Sequence, residues 1–92
     1  MFKKKRCINL SYEMQGYIQF LCYTINRQSK GVQERVKSLC REIAGEEWKV
    51  LYELLTNPYK TLERIARDNF IWERRLSVWR AVFFETYAKE YL

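Results

Sequence analysis

Residues Lys60–Phe83 read KTLERIARDNFIWERRLSVWRAVF, and the way this stretch parses decides the fold. Leu62, Ile65 and Ala66 fall at the three- and four-residue spacing of one helical face. Asn69-Phe70-Ile71 interrupts that spacing, and Leu76, Trp79 and Phe83 resume it on a longer second helix. Asn69 suits the left-handed conformation that ends a helix better than most residues other than glycine, so it is the expected stop. Two helices joined by so short a turn must cross closely, and the small side chain of Ala66 lets their backbones approach. Ile71 is placed to plug the junction, and Leu76 and Trp79 to fix the second helix to the core.

Working back from this unit, Thr56-Asn57-Pro58 terminates a preceding helix whose buried face is Trp48, Leu51, Tyr52 and Leu55. Glu46 and Glu47 fall in its first turn, where carboxylates favour the positive end of the helix dipole. Gly45 stops an earlier helix running from about Val32 to Ala44, with Val32, Val36, Leu39, Cys40 and Ile43 as its stripe. Asn26–Gly31 reads as a polar linker. Before it a first helix is expected, with Ser11 as cap and Met14, Tyr17, Ile18, Leu21, Cys22 and Ile25 inward. With one Pro, three Gly and 48% apolar residues in 92, there is little material for hairpins and enough for one core. The expected fold is all-α: a compact bundle of about five helices over residues 11–92, preceded by a flexible basic arm at 1–10.

The net charge of +6 is unevenly placed. Lys3, Lys4, Lys5 and Arg6 supply +4 of it, so the rest of the chain carries only +2. A basic terminus of this kind either binds phosphates or simply solubilises. The three cysteines, Cys7, Cys22 and Cys40, have no close pairing, and histidine is absent, so no metal site is expected. Cys22 and Cys40 lie on apolar faces and are read as small buried hydrophobes in a reducing setting. The segment after MFKKKR is broken by Asn9, Ser11, Glu13 and Gln15, unlike the apolar core of a signal peptide. No run approaches the roughly 20 apolar residues of a membrane span. A soluble, cytoplasmic protein without membrane association is the expectation.

The spacing of Ile65, Ala66, Ile71, Leu76 and Trp79 resembles that of helix-turn-helix transcription regulators, with the unit covering about residues 61–90. With the Trp48–Leu55 helix in front, the order is similar to the carboxy-terminal promoter-binding domain of sigma factors and to small phage or mobile-element regulators. Phe70 stands where that pattern often has glycine, and Trp72 where a Ser or Thr often caps the second helix. The resemblance implies binding of double-stranded DNA, with the second helix in the major groove. It places Trp72, Glu73, Arg74 and Ser77 toward base edges, with Val78 and Ala81 beside them. Arg74 suits a guanine edge, Glu73 a cytosine amine, and Val78 or Ala81 a thymine methyl. Lys60, Arg64, Arg67, Arg75 and Arg80 are expected at phosphates, supplemented by Lys3, Lys4, Lys5 and Arg6.

The final helix holds more aromatics than one stripe needs. Trp79, Phe83 and Tyr87 make the stripe; Val82, Phe84, Tyr91 and Leu92 extend it around the cylinder. Such a helix is either central to the bundle or buries a second face in a homodimer, with the first helix as the other contributor. Enzyme chemistry is not expected: histidine, a glycine-rich phosphate loop and a distinct carboxylate pair are all missing, and no cofactor is implied. The alternative to DNA binding is a helical protein-interaction module, of the phage inhibitor or accessory-subunit kind, using its aromatic surface.

Overall fold

Ser11, Ser29 and Thr61 each start a helix in the same way. The side-chain oxygen accepts a hydrogen bond from the backbone N–H three residues on, at 3.2 Å from Met14, 3.3 Å from Val32 and 3.2 Å from Arg64. Each cap satisfies an otherwise orphaned donor and stabilises its helix by about 1 kcal/mol. The computed structural model describes residues 8–92. Its helices are α1 (Tyr12–Tyr23), α2 (Lys30–Ala44), α3 (Trp48–Thr56), α4 (Leu62–Asp68) and α5 (Glu73–Tyr91). Among the described residues there is no strand. Four of these helices are nine residues or longer and pack as rods; α4, with seven residues, is two turns. The rods therefore number four rather than about five.

Connections are tighter than the composition suggested. Ile25–Arg27 forms a 3-10 turn, and α2 begins at Lys30 because Ser29 caps it, which draws Gly31 into the first turn of the helix. Glu46 and Glu47 lie in a 3-10 turn, Gly45–Glu47, ahead of α3 and not within it. Gly45 adopts φ 59°, ψ −127°, a conformation that a β-carbon would strain.

The core forms around α5, which touches all four other helices. Leu76 and Phe83 are fully enclosed on it, with Phe84, Tyr87 and Ala88 nearly so. Phe83 stacks on Tyr87 at 5.8 Å between ring centres, and Tyr91 leans on Tyr87 at 4.9 Å. Most of the aromatic surplus on this helix is thus consumed inside the chain. Cys22 and Cys40 are free and buried against the same core. Burial pushes the Cys40 thiol up to about 12 and Cys22 higher still. The radius of gyration, 12.2 Å, is that of a fully packed domain, for which about 12 Å is expected at this length.

Two details of α1 depart from the periodicity. Tyr17 faces solvent, and Gln15 occupies the core beside Ile18 and Cys22. The buried amide is tolerated because Nε2 donates to the Ile8 carbonyl at 3.2 Å and to the Leu10 carbonyl at 3.1 Å. Ile8 is itself buried, so the packed domain includes residues 8–10, which the sequence assigned to the arm. The remainder of that arm, residues 1–7, lies outside the described residues. Among the described residues no helix is long and apolar enough to cross a membrane.

Candidate nucleic-acid interface

The turn between α4 and α5 is closed by two crossed backbone bonds. Phe70 N–H donates to the Arg67 carbonyl at 3.3 Å, and Ile71 N–H reaches back to the Ala66 carbonyl at 2.9 Å. This is the Schellman arrangement, which requires the residue after the cap to be left-handed. That residue is Phe70, at φ 56°. Asn69, expected to take this role, stays at φ −111°, ψ 7° as the cap itself. Its side-chain amide donates to the Ile65 carbonyl at 2.8 Å, so it prolongs the helix by one residue and shifts the reversal onward. The shift seats Ile71 in the core with Ala66, as the junction requires.

Phe70 is an unusual occupant of such a position. A left-handed residue with a β-carbon costs about 1–2 kcal/mol. Its ring recovers nothing by burial, since it is 97% exposed. Two residues on, Trp72 is the N-cap of α5 and is 83% exposed. Its carbonyl accepts from Leu76 N–H at 3.1 Å, but an indole offers no acceptor for the first-turn donors. Two large aromatic rings therefore stand in solvent on either side of Ile71.

The residues assigned to base edges do come together. Glu73, Arg74 and Ser77 line a shallow groove between α4 and α5, opposite Leu62 and Glu63. Trp72 joins Glu73 and Arg74 in an adjoining depression walled by Ala66, Arg67 and Ile71. Val78, half-exposed, belongs to the next surface round the helix, with Arg75 and Trp79. Ala81 is partly buried against the core.

The residues assigned to phosphates do not form one surface. Lys60 pairs with Glu53 at 3.1 Å, and Arg64 with Asp68, one turn along α4, at 3.8 Å. Arg75 reaches Glu47 at 3.3 Å and lies over the Trp79 ring at 4.8 Å, in a depression it shares with Trp72 and Arg74 and not in the groove of Glu73 and Ser77. Arg80 is half-buried and lines both the groove of Glu73, Arg74 and Ser77 and a cavity with Gln19 and Tyr23 of α1. Arg67 and Arg74 are exposed and make no ion pair among the described residues. Lys3, Lys4, Lys5 and Arg6 lie outside the described residues. The paired cations are not lost to an anionic partner, because exposed ion pairs contribute only about 0–1 kcal/mol and a phosphate can displace the carboxylate.

The inward placement of three polar residues escaped the sequence reading: Gln15 and Gln19 were given no role in the core, and Arg80 was read only as a phosphate contact. The signal was present. Gln15 and Gln19 share the helical face of Ile18 and Cys22, and Arg80 sits four residues after Leu76 and three before Phe83, within the apolar stripe of α5. Compared with known protein families, with curated proteins and with solved structures, the chain matches none.

Proposed function

We propose that the chain binds double-stranded DNA through α4, the turn at Asn69–Trp72 and the first half of α5, as a small transcription regulator of the bacterial, phage or mobile-element kind. The observation that carries this reading is the closed turn. It joins a two-turn helix to a long one through Ala66 and Ile71, and leaves Glu73, Arg74 and Ser77 along one outward groove with Arg67 beside it. That is the layout in which a second helix meets base edges while its flanks meet phosphates. Pairing of half-sites would bring two copies together, and the outer face of α1, with Tyr17 and Phe20 exposed, is the surface offered for it.

The test is an electrophoretic mobility shift on selected duplex sequences over a salt series. Arg67→Ala with Arg74→Ala should weaken binding, and lower the slope of log K against log salt by about 0.9 for each phosphate that is no longer neutralised. Helical content should be unaffected. An unchanged affinity and slope in the double variant would remove the groove from consideration.

A second reading has its own support. Phe70, 97% exposed, and Trp72, 83% exposed, are the kind of rigid aromatic anchors that protein interfaces use, and Glu63 and Glu73 set carboxylates beside the same groove. In that reading the unit serves a protein partner. Phe70→Ala and Trp72→Ala then abolish partner binding, and the chain shows no retardation of any duplex.

A further inference from the structure

The cavity in which Arg80 sits is built unlike the rest of the interior. Gln19 and Tyr23 of α1, Leu54 and Leu55 of α3, Lys60, Thr61 and Leu62 at the start of α4, and Arg80 and Phe84 of α5 line a half-open cavity of about 160 Å³. No carboxylate lines it. Two cations do, and only Lys60 has a counter-charge, at 3.1 Å from Glu53. Arg80 makes no ion pair among the described residues, and its Nε is shielded from solvent with no hydrogen-bond partner. Gln19 Oε1 is shielded and unpartnered in the same way. Gln19 Nε2 donates to the Tyr23 hydroxyl at 2.7 Å. A hydroxyl both donates and accepts, so the amide can turn over, keep Tyr23 as partner, and aim its N–H groups at the cavity instead.

A buried donor left unbonded costs about 1–3 kcal/mol, and more when it is part of a charged group. Native interiors pair such groups or fill the space with something that does. Here Gln19, Tyr23, Lys60, Thr61 and Arg80 supply polar groups to the lining, and Leu54, Leu55, Leu62 and Phe84 supply hydrocarbon. A plain anion meets the first part and not the second. Roughly five waters fit the volume, at about 30 Å³ each. Waters would satisfy Arg80 while facing four apolar side chains.

We propose that this cavity is a binding site for a small organic carboxylate, a short-chain acid whose carboxylate meets Arg80 and Gln19 and whose tail lies against Leu54, Leu55, Leu62 and Phe84. The cavity shares Leu62 and Arg80 with the groove that holds Glu73, Arg74 and Ser77. It joins α1 to the start of α4 and the middle of α5, so its occupant ties the first helix to the two-helix unit.

The experiment is a titration of the full chain with butyrate, followed by the nitrogen-bound proton signals of the Arg80 guanidinium and the Gln19 amide. Acetate and inorganic phosphate serve as comparisons at matched ionic strength. Butyrate should shift both signals saturably, with a Kd at or below about 1 mM. Acetate, shorter by two methylenes, should bind about tenfold more weakly. Arg80→Met should abolish saturable binding and Gln19→Leu should weaken it; if the first fails to fold, the second and the wild-type titration still decide. Waters alone in the cavity would give no saturable shift, and that result overturns the proposal. So would equal binding of acetate and butyrate, phosphate binding tighter than either, or folded variants that bind butyrate as the wild type does.

Discussion

Replacing Phe70 with glycine should make the protein more stable, although it removes one of the largest side chains in the turn. The β-carbon at φ 56° costs about 1–2 kcal/mol, and glycine releases it. Glycine also gives the unfolded chain more freedom, which takes back about 0.5–1 kcal/mol. No burial is lost, because the ring is 97% exposed and makes no ring contact among the described residues. The two crossed bonds, from Phe70 N–H to Arg67 and from Ile71 N–H to Ala66, involve only backbone and survive the change. The net gain is about 0.5–1 kcal/mol, or a rise in Tm of roughly 2–8 °C for a domain of this size. Thermal and urea unfolding followed by circular dichroism measure it. Phe70→Ala is the control: it keeps the strain, loses no packing, and should leave Tm near that of the wild type. A fall in Tm for Phe70→Gly would refute the reasoning, since it would mean that the ring stabilises the fold or that the turn is not left-handed. If the glycine variant is more stable yet loses binding to DNA or to a protein partner, the strain at Phe70 serves recognition.

Other perturbations follow from packing and titration. Gln15→Leu leaves the Ile8 and Leu10 carbonyls without their donor and should cost about 1–3 kcal/mol, read from the urea midpoint; a neutral result would mean that the amide bonds are not formed in solution. Leu76→Ala, at a position fully enclosed where α5 crosses α4, should cost about 2–5 kcal/mol by the same measurement. Thr61→Ala removes the N-terminal side-chain cap of a two-turn helix and should cost about 1 kcal/mol, with earlier amide exchange across α4 than across α5. Stability should decline in alkali. Cys40 ionises near the ordinary 9.0 when unfolded but only near 12 when folded, and Cys22 is raised further. The neutral thiols thus stabilise the fold fully below pH 9.0, and that contribution fades as pH climbs from there through about 12. Burial raises the Tyr52 and Tyr87 hydroxyls too and adds to the same trend. A urea midpoint that stays flat from neutral pH to about pH 11 would contradict this account.

The helical class and most of the inward faces were legible because the bundle is built from amphipathic rods. Val36, Leu39 and Cys40 on α2, and Leu51 and Leu55 on α3, follow the 3.6-residue period and are buried as expected. The expectation faltered where hydrogen bonding, not apolarity, placed a residue. Periodicity puts Tyr17 inward, but the amide of Gln15 finds two carbonyls and rotates α1 so that Tyr17 is outside. At the α4–α5 turn, the helix stop belonged to Asn69 on propensity. The Asn69 side chain bonds back to Ile65 and moves the left-handed residue onto Phe70, which no propensity scale favours. For the candidate groove, the grouping of Glu73, Arg74 and Ser77 was readable from helical spacing alone. The ion pairs of Lys60, Arg64 and Arg75 were not, except for Arg64 and Asp68, which are four residues apart on one helix. Glu53 comes from the preceding helix, seven residues from Lys60, and Glu47 from the turn before α3.

Gly45 has a mechanical consequence. A single residue at φ 59° carries the chain from the end of α2 into the turn before α3, with no slack on either side. Glu47, at the end of that turn, grips Arg75 on α5 at 3.3 Å. Any hinging of α2 against α3 must pass through the one backbone position at Gly45, where a β-carbon would be strained. The Glu47–Arg75 pair falls within the first turn of α5, and Arg75 lines one depression with Trp72, so the elbow is tied to the same end of α5 at which the rings of Phe70 and Trp72 stand exposed.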